Sequence, residues 1–267
     1  MIIYDFGANV GQNTDYFVSK KHKVVAIDAN PVLCGLINEK YAKEISEGKL
    51  VVINCCLSET SDDEKVKFYV HKKISEHSQF LKPEEERIHE FEEIEVFTRK
   101  PSSIVKQYGE PYYIKIDIEH YDKYVLRDLI NNGIVSKYIS VEAHNPEVLT
   151  MLINSKKYKR FNAVSGDNLH RIYSNFVDGS SGPFGSDIKS PWLNEKGIKK
   201  LFTEIPFGWI DIHASTDQNI PVGKLDLKFY PFRVDKIADI KIIIKRIIPS
   251  SAYKFLNKLN RIRLGLK

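Results

Sequence analysis

Cysteine is scarce in this 267-residue chain: there are three, two of them adjacent at Cys55 and Cys56. They supply neither a disulfide framework nor the paired C-x-x-C spacing of a structural zinc site. The expectation is a reducing, cytoplasmic setting and no metal. No run approaches the ~18 uncharged apolar residues of a membrane-spanning helix. Residues 1–5 lack the basic start and long apolar stretch of a signal peptide and read as a first strand. Repeats and low-complexity tracts are missing too. At 42% hydrophobic and 28% charged residues, the chain is too apolar for disorder and long enough for one large domain with extensions.

The net charge of +5 is unevenly placed. Residues 236–267 carry nine Lys/Arg against Asp239 alone, which leaves residues 1–235 mildly acidic. A basic isoelectric point is therefore no argument for nucleic-acid binding by the body. In the tail, Ile237, Ile240, Ile244, Ile247 and Ile248 recur at helical spacing beside Lys241 and Lys245. The pattern resumes beyond Pro249. Such a basic amphipathic segment suits an anionic membrane surface, its own domain or a second subunit.

Short apolar runs alternate with longer mixed stretches, the rhythm of a sheet with crossover helices. Strands are predicted at 2–5, 23–27, 50–54, 66–70, 112–117, 138–142 and 159–164. Helices are predicted at about 12–20, 31–46, 121–131 and 146–154, and the acidic 83–91 as a surface helix or loop. The turn Gly166-Asp167-Asn168 predicts a hairpin whose second strand, 169–174, is antiparallel. The resulting α/β fold is a mostly parallel sheet with helices on both faces and an antiparallel last strand. Three parts are expected: a core at 1–177, a Gly-, Pro- and aromatic-rich extension on the substrate side at 178–235, and the basic tail at 236–267. Ligands in such sheets bind at the carboxyl ends of the strands, where strand order reverses.

Tyr4-Asp5-Phe6-Gly7-Ala8-Asn9-Val10-Gly11-Gln12-Asn13 lies between the first strand and the first helix. Gly7 and Gly11 permit a sharp turn and close approach to a ligand. The spacing departs from G-x-G-x-x-G, and Asp5 suits a cationic or amine-bearing ligand better than a pyrophosphate. The second strand ends in Asp28, the position from which an acid binds ribose hydroxyls. A mere tight turn and a helix cap are the bland alternative, and they require all these features to coincide.

This stretch resembles the first motif of class I S-adenosylmethionine-dependent methyltransferases, in the form used by the FkbM family. Three further stretches resemble that family in order: Ile27-Asp28-Ala29-Asn30-Pro31, Asn54-Cys55-Cys56-Leu57-Ser58, and Lys115-Ile116-Asp117-Ile118-Glu119-His120-Tyr121-Asp122. The last usually reads K-I-D-x-E-G-x-E, so His120 stands for a glycine and Asp122 for a glutamate. The resemblance implies a Rossmann-like fold with a seven-stranded sheet and S-adenosylmethionine as cofactor. Asp5, Gly7, Ala8, Asn9, Gly11 and Asn13 would line its methionine end, and Asp28 and Ala29 its ribose. Cys56 and Ser58 would flank the adenine, with Asp117 at the cleft. His77-Ser78-Gln79 resembles a polar stretch near the cofactor in this family.

Methyl transfer to a hydroxyl needs a proton acceptor. Strand ends offer Asp117, Glu119, His120, Glu142 and His144, and the histidines titrate closest to neutrality. Lys115 is expected to point away from the cleft. The fourth motif ends in Asp-Ile-Glu-His, without the Pro-Pro-aromatic stretch of amine-methylating enzymes, which favours an oxygen acceptor. Trp192, Trp209, Asp211 and His213 in the extension would suit a sugar ring, flat and apolar on its faces and polar at its rim. They are equally suited to a satellite core. The expected activity is O-methylation of a sugar in a surface-glycan pathway, at the cytoplasmic face of a membrane, as a monomer or homodimer, with no nucleic acid involved. An RNA ribose methyltransferase, a non-catalytic cofactor-binding scaffold and a nicotinamide-dependent oxidoreductase are the rivals.

Overall fold

The computed structural model describes residues 1–143, 146–165, 182–204 and 210–230. The tail 236–267, the predicted strand at 169–174, His144 and Trp209 lie outside the described residues.

Seven strands form the main sheet: β1 (Ile2–Phe6), β2 (Lys23–Asp28), β3 (Leu50–Asn54), β7 (Pro111–Ile116), β8 (Tyr138–Glu142), β9 (Arg160–Ser165) and β10 (Ile210–Ser215). Their order is β3-β2-β1-β7-β8-β10-β9, parallel except for β10. This is the Rossmann-like class I methyltransferase architecture. The order reverses between β1 and β7, so the crevice belongs beyond their carboxyl ends. Among the described residues the antiparallel strand is β10: Arg160 to Ser165 pair with Ser215 back to Ile210. The stretch whose glycines and prolines set it apart in the sequence thus supplies the strand next to one edge of the sheet.

The helices are α1 (Thr14–Ser19), α2 (Pro31–Lys40), α3 (Ala42–Ser46), α4 (Pro101–Tyr108), α5 (Asp122–Asn131), α6 (Glu147–Asn154) and α7 (Glu195–Glu204). Asn30 caps α2 by accepting from Val32 N–H at 3.0 Å, and Pro31 takes the first turn, where its missing N–H costs nothing. The predicted helix 31–46 breaks at Tyr41, whose buried hydroxyl donates to the Gly11 carbonyl at 3.2 Å.

A second sheet joins β4 (Cys56–Leu57), β6 (Phe91–Arg99) and β5 (Lys65–His71). Acidic Phe91–Arg99 forms a strand by pairing along its length with β5 and burying Phe91, Val96 and Thr98, while its exposed glutamates face the lysines of β5. Lys65 pairs with Glu95 at 2.5 Å and Lys67 with Glu93 at 2.8 Å. The inner face of this sheet packs Phe68 and Val96 against Cys56 and Ala29.

One face of the main sheet is covered near its amino end by an aromatic cluster. Phe184 stacks on Tyr113 with ring centroids 4.0 Å apart and also meets Tyr16, Tyr112 and Tyr138. Tyr16 donates to Asp187 at 2.6 Å, tying α1 to the segment around Phe184. Phe184→Ala opens a cavity among these rings and is expected to cost about 3–5 kcal/mol, read as a lower urea midpoint at unchanged slope.

Candidate active site

The glycine loop hangs from β2. Gly7 and Ala8 both donate to the Ile27 carbonyl at 3.0 Å, and Asp28 accepts from Asn9 N–H at 2.9 Å and Asn30 N–H at 2.8 Å. Gly7 has φ +89°, and a Cβ there would lie 1.9 Å from the Asp117 carbonyl oxygen. The close approach of β1 to β7 therefore requires glycine. Asn9 takes the left-handed conformation at φ +49°, and its side chain accepts from the Ser75 hydroxyl at 3.0 Å. Asn13 is buried and backed by Gly182. His77 is exposed and Gln79 buried, bridged to Tyr69; the neighbour that reaches the loop is Ser75, which no sequence signal singles out.

Asp28, Ala29 and Cys56–Ser58 share one wall. Asn54 donates its amide to the carbonyls of Asp28 at 3.1 Å and Ala29 at 2.9 Å, and Cys55 N–H donates to the Asp28 carbonyl at 3.1 Å. Cys56 packs in the small core with Ala29, and Ser58 is buried with its hydroxyl 2.9 Å from that of Thr60. Burial pushes the Asp28 carboxyl up to about 6, against the pull of the backbone N–H groups of Asn30, Asn9 and Ala29.

Two polar rows cross one face of the sheet. In the deeper row, register pairs Asp5 with Lys115, Lys115 with Ser140, Ser140 with His213 and His213 with Asn162. None of these five exceeds 1% exposure. Two residues along each strand, at the crevice end, come Asp28, Asp117, Glu142 and Asp211. Lys115 donates to Asp117 Oδ2. The expectation that Lys115 points away is thus corrected: residues two apart on a strand share a face, so it lies with Asp117. Burial opposes its charge, but Asp117, Asp5 and Asp211 together hold its pKa above the ordinary lysine value. Both Asp5 carboxyl oxygens are buried without a hydrogen-bond partner. Burial pushes this carboxyl up to about 7; Lys115 opposes the shift, while Asp117 and Asp28 add to it.

Asp211 and His213, expected on a sugar-binding surface, lie inside the sheet, 5% and 1% exposed. Burial, with the charge of Lys115, pushes His213 down to about 3, so its imidazole is neutral. Trp192 is buried against Tyr138, with ring centroids 6.2 Å apart. Their β-strand and core positions explain the burial, and they place no open aromatic platform at the crevice.

Beyond Asp117, the chain turns sharply. Ile118 N–H donates to Asp122 at 2.9 Å, and burial, with Glu142 and Asp117 nearby, pushes the Asp122 carboxyl well above the carboxylate range. His120 has φ +64°, the left-handed region that favours glycine, and its Nε2 lies 3.1 Å from Glu119 Oε1. The structure thus brings Asp5, Asp117, Glu142 and Asp211 together around Lys115, with Glu119 and His120 paired at the adjoining turn. Among the described residues, no group of three or more His, Cys, Asp or Glu could hold a metal ion.

Residues 5–175 match the family described as the methyltransferase FkbM domain. Among solved structures, precorrin-6y C5,15-methyltransferase from Geobacter metallireducens is 10% identical, with 81% of this chain and 80% of that one covered and a TM-score of 0.36. A SAM-dependent methyltransferase from Archaeoglobus fulgidus is 13% identical over 80% and 85%, with a TM-score of 0.37. A putative rRNA methylase from Clostridium thermocellum is 8% identical over 80% and 85%, also at 0.37. No curated protein matches the chain.

Two stability measurements probe this geometry. Asp5 is ordinary when unfolded but titrates near 7 when folded, so between about pH 4 and 7 the folded state binds more protons and this group's contribution to stability falls as pH rises. Asp5→Asn removes that penalty. Relative to the parent, the variant is expected to gain about 1–3 kcal/mol between pH 4.5 and pH 8 in urea unfolding; a pH-independent difference contradicts the burial argument. At position 120, Gly suits φ +64° and Ala does not, so His120→Gly is expected to be about 1 kcal/mol more stable than His120→Ala by thermal unfolding.

Proposed function

The chain belongs to the FkbM methyltransferase family, and from that premise we propose that it is an S-adenosylmethionine-dependent O-methyltransferase acting on a sugar hydroxyl in surface-glycan synthesis. The observation that carries the donor reading is the buried Asp5 carboxylate, with both oxygens unpartnered, at the head of the glycine loop. A buried carboxylate without a partner is costly, and an α-ammonium is the kind of group that offsets the cost. The acidic row around it suits a donor with two positive centres.

S-adenosylmethionine supplies a methyl group already activated on a sulfonium. Asp5 would hold the ammonium of its methionine end, with Gly7 to Gly11 admitting close approach of the backbone. Asp28 has two of its roughly four lone-pair sites engaged by Asn9 and Asn30 and keeps acceptor capacity for ribose hydroxyls. Cys56 and Ser58 would flank the adenine. The second sheet packs Phe68 and Val96 against Cys56 and Ala29 on this wall.

On the acceptor side, Asp117 is engaged by Lys115 and serves as a fixed negative charge that orients. The proton acceptor is the His120–Glu119 pair: the carboxylate holds the imidazole, which takes the hydroxyl proton as attack proceeds. The Asp-Ile-Glu-His turn supports an oxygen acceptor. The buried Trp192, Asp211 and His213 lend no support to a sugar acceptor, and Trp209 lies outside the described residues; the sugar reading rests on the oxygen acceptor and on the basic segment. The basic segment 236–267 suits an anionic membrane surface, where lipid-linked glycans reside. No helix among the described residues is long and apolar enough to cross a membrane.

The test is mass spectrometry of surface glycans from cells with and without the gene, paired with transfer of labelled methyl from S-adenosylmethionine by purified protein. The expected result is loss of one methyl per repeat and label recovered in glycan. Unchanged glycans with label in RNA, or with no label transferred, overturn the sugar reading.

A further inference from the structure

The acidic rows pose an electrostatic problem that donor binding alone does not solve. Asp5, Asp28, Asp117, Glu142 and Asp211 stand along one face of the sheet, and Lys115 is the ammonium among them. It is fully buried, hydrogen-bonded to Asp117, level with Asp5 in the register of β1 and β7, and within electrostatic reach of Asp211 on β10. We propose that Lys115 is a positioning residue of the donor pocket, whose ammonium holds the Asp117 carboxylate in place and favours a charged Asp5 carboxylate facing the cationic end of the methyl donor. The proposal rests on the donor reading given above.

Three observations support it. The side chain is committed inward although a lysine can reach solvent from many positions, and burial without carboxylate partners would drive its proton off. The residue next to it in the row on the other side is Ser140, whose hydroxyl lies 2.6 Å from that of Tyr113, and beyond that is a neutral histidine. Neither competes as a cation. Asp117 follows Lys115 by two residues, so one strand carries both the acceptor-side carboxylate and its counter-charge. The titratable groups facing Asp5 are Lys115 and Tyr113 from β7, Asp117 just beyond that strand, and Asp28 from β2. Those facing Lys115 are Asp5 from β1, Asp117 just beyond its own strand, and Asp211 and His213 from β10.

An ionised Asp5 binds an ammonium; a protonated one does not. Donor affinity should therefore fall as pH drops through the titration of Asp5, and loss of the ammonium should move that fall to higher pH. The probe is S-adenosylhomocysteine, which carries the α-ammonium without the sulfonium, titrated by calorimetry between about pH 5.5 and pH 8.5, a window set by the expected titration of Asp5. Lys115→Met is expected to raise the midpoint by about one pH unit, roughly a tenfold loss of affinity at pH 6.5 that shrinks to within about threefold at pH 8.5. Lys115→Arg is expected to restore the parent profile. If Lys115→Met lacks a cooperative thermal transition, Lys115→Met with Asp211→Asn, which removes one buried carboxylate along with the ammonium, is measured in its place.

An unmoved midpoint in a folded variant that still binds the probe overturns the proposal and leaves Lys115 a packing residue. Failure of the parent protein to bind at any pH overturns the donor reading instead.

Discussion

A carboxylate with no hydrogen-bond partner, sealed inside a sheet, is a strained arrangement that folding alone would not favour. Asp5 is held there because its neighbours leave it little choice. β1 is flanked by β2 and β7 inside the sheet, and Gly7 lets the chain pass so close to the Asp117 carbonyl that no side chain fits between them. Lys115 makes the arrangement tolerable by lying level with Asp5 and bonding to Asp117. Much of the site follows from that pair. The loop beyond Asp5 must turn left-handed at Asn9, and Asp28 must brace it from β2.

The parts of this design that could be read from sequence are the local ones. Asp5-x-Gly7-x-x-x-Gly11 between a strand and a helix, and Asp28 closing the next strand, are contiguous patterns whose chemistry needs those residue types at those spacings. Longer-range features were harder to read. The acidic 83–91 reads as a surface helix or loop, and the strand that begins at Phe91 takes its partner from residues some thirty positions earlier. β10 sits in a stretch dense with glycine and proline, and its place between β8 and β9 is a matter of topology that no window of sequence contains. Lys115 is the instructive case. Alternation along the strand already puts it on the face of Asp117, yet a charged residue in a buried strand invites the assumption that it must turn away from the core. It turns inward because two of the acids that receive it, Asp5 and Asp211, come from other strands of the sheet.

The turn after Asp117 shows the same tension at smaller scale. The family pattern has glycine where this chain has His120, and the backbone there keeps the left-handed conformation that glycine favours. An imidazole in that position carries a conformational cost of about 1 kcal/mol. What it gains is an imidazole paired with Glu119 at the turn beyond Asp117, the pair to which the proposed function assigns the acceptor's proton. Strain retained at such a point is what a functional role predicts.

The antiparallel strand completes the electrostatics. Because β10 runs against its neighbours, its beginning lies at the crevice end of the sheet, and Asp211 falls beside Glu142 while His213 lies two residues deeper beside Ser140. A parallel strand with the same sequence would place them in the opposite order, with the histidine at the crevice and the acid deep in the sheet. In the observed direction, the histidine next to the lysine row is neutral, since both burial and Lys115 act against its protonation. A second cation there would repel Lys115 and favour loss of its proton. The polar row therefore extends across the sheet to Asn162 while its positive charge stays at Lys115, beside the carboxylates that need it.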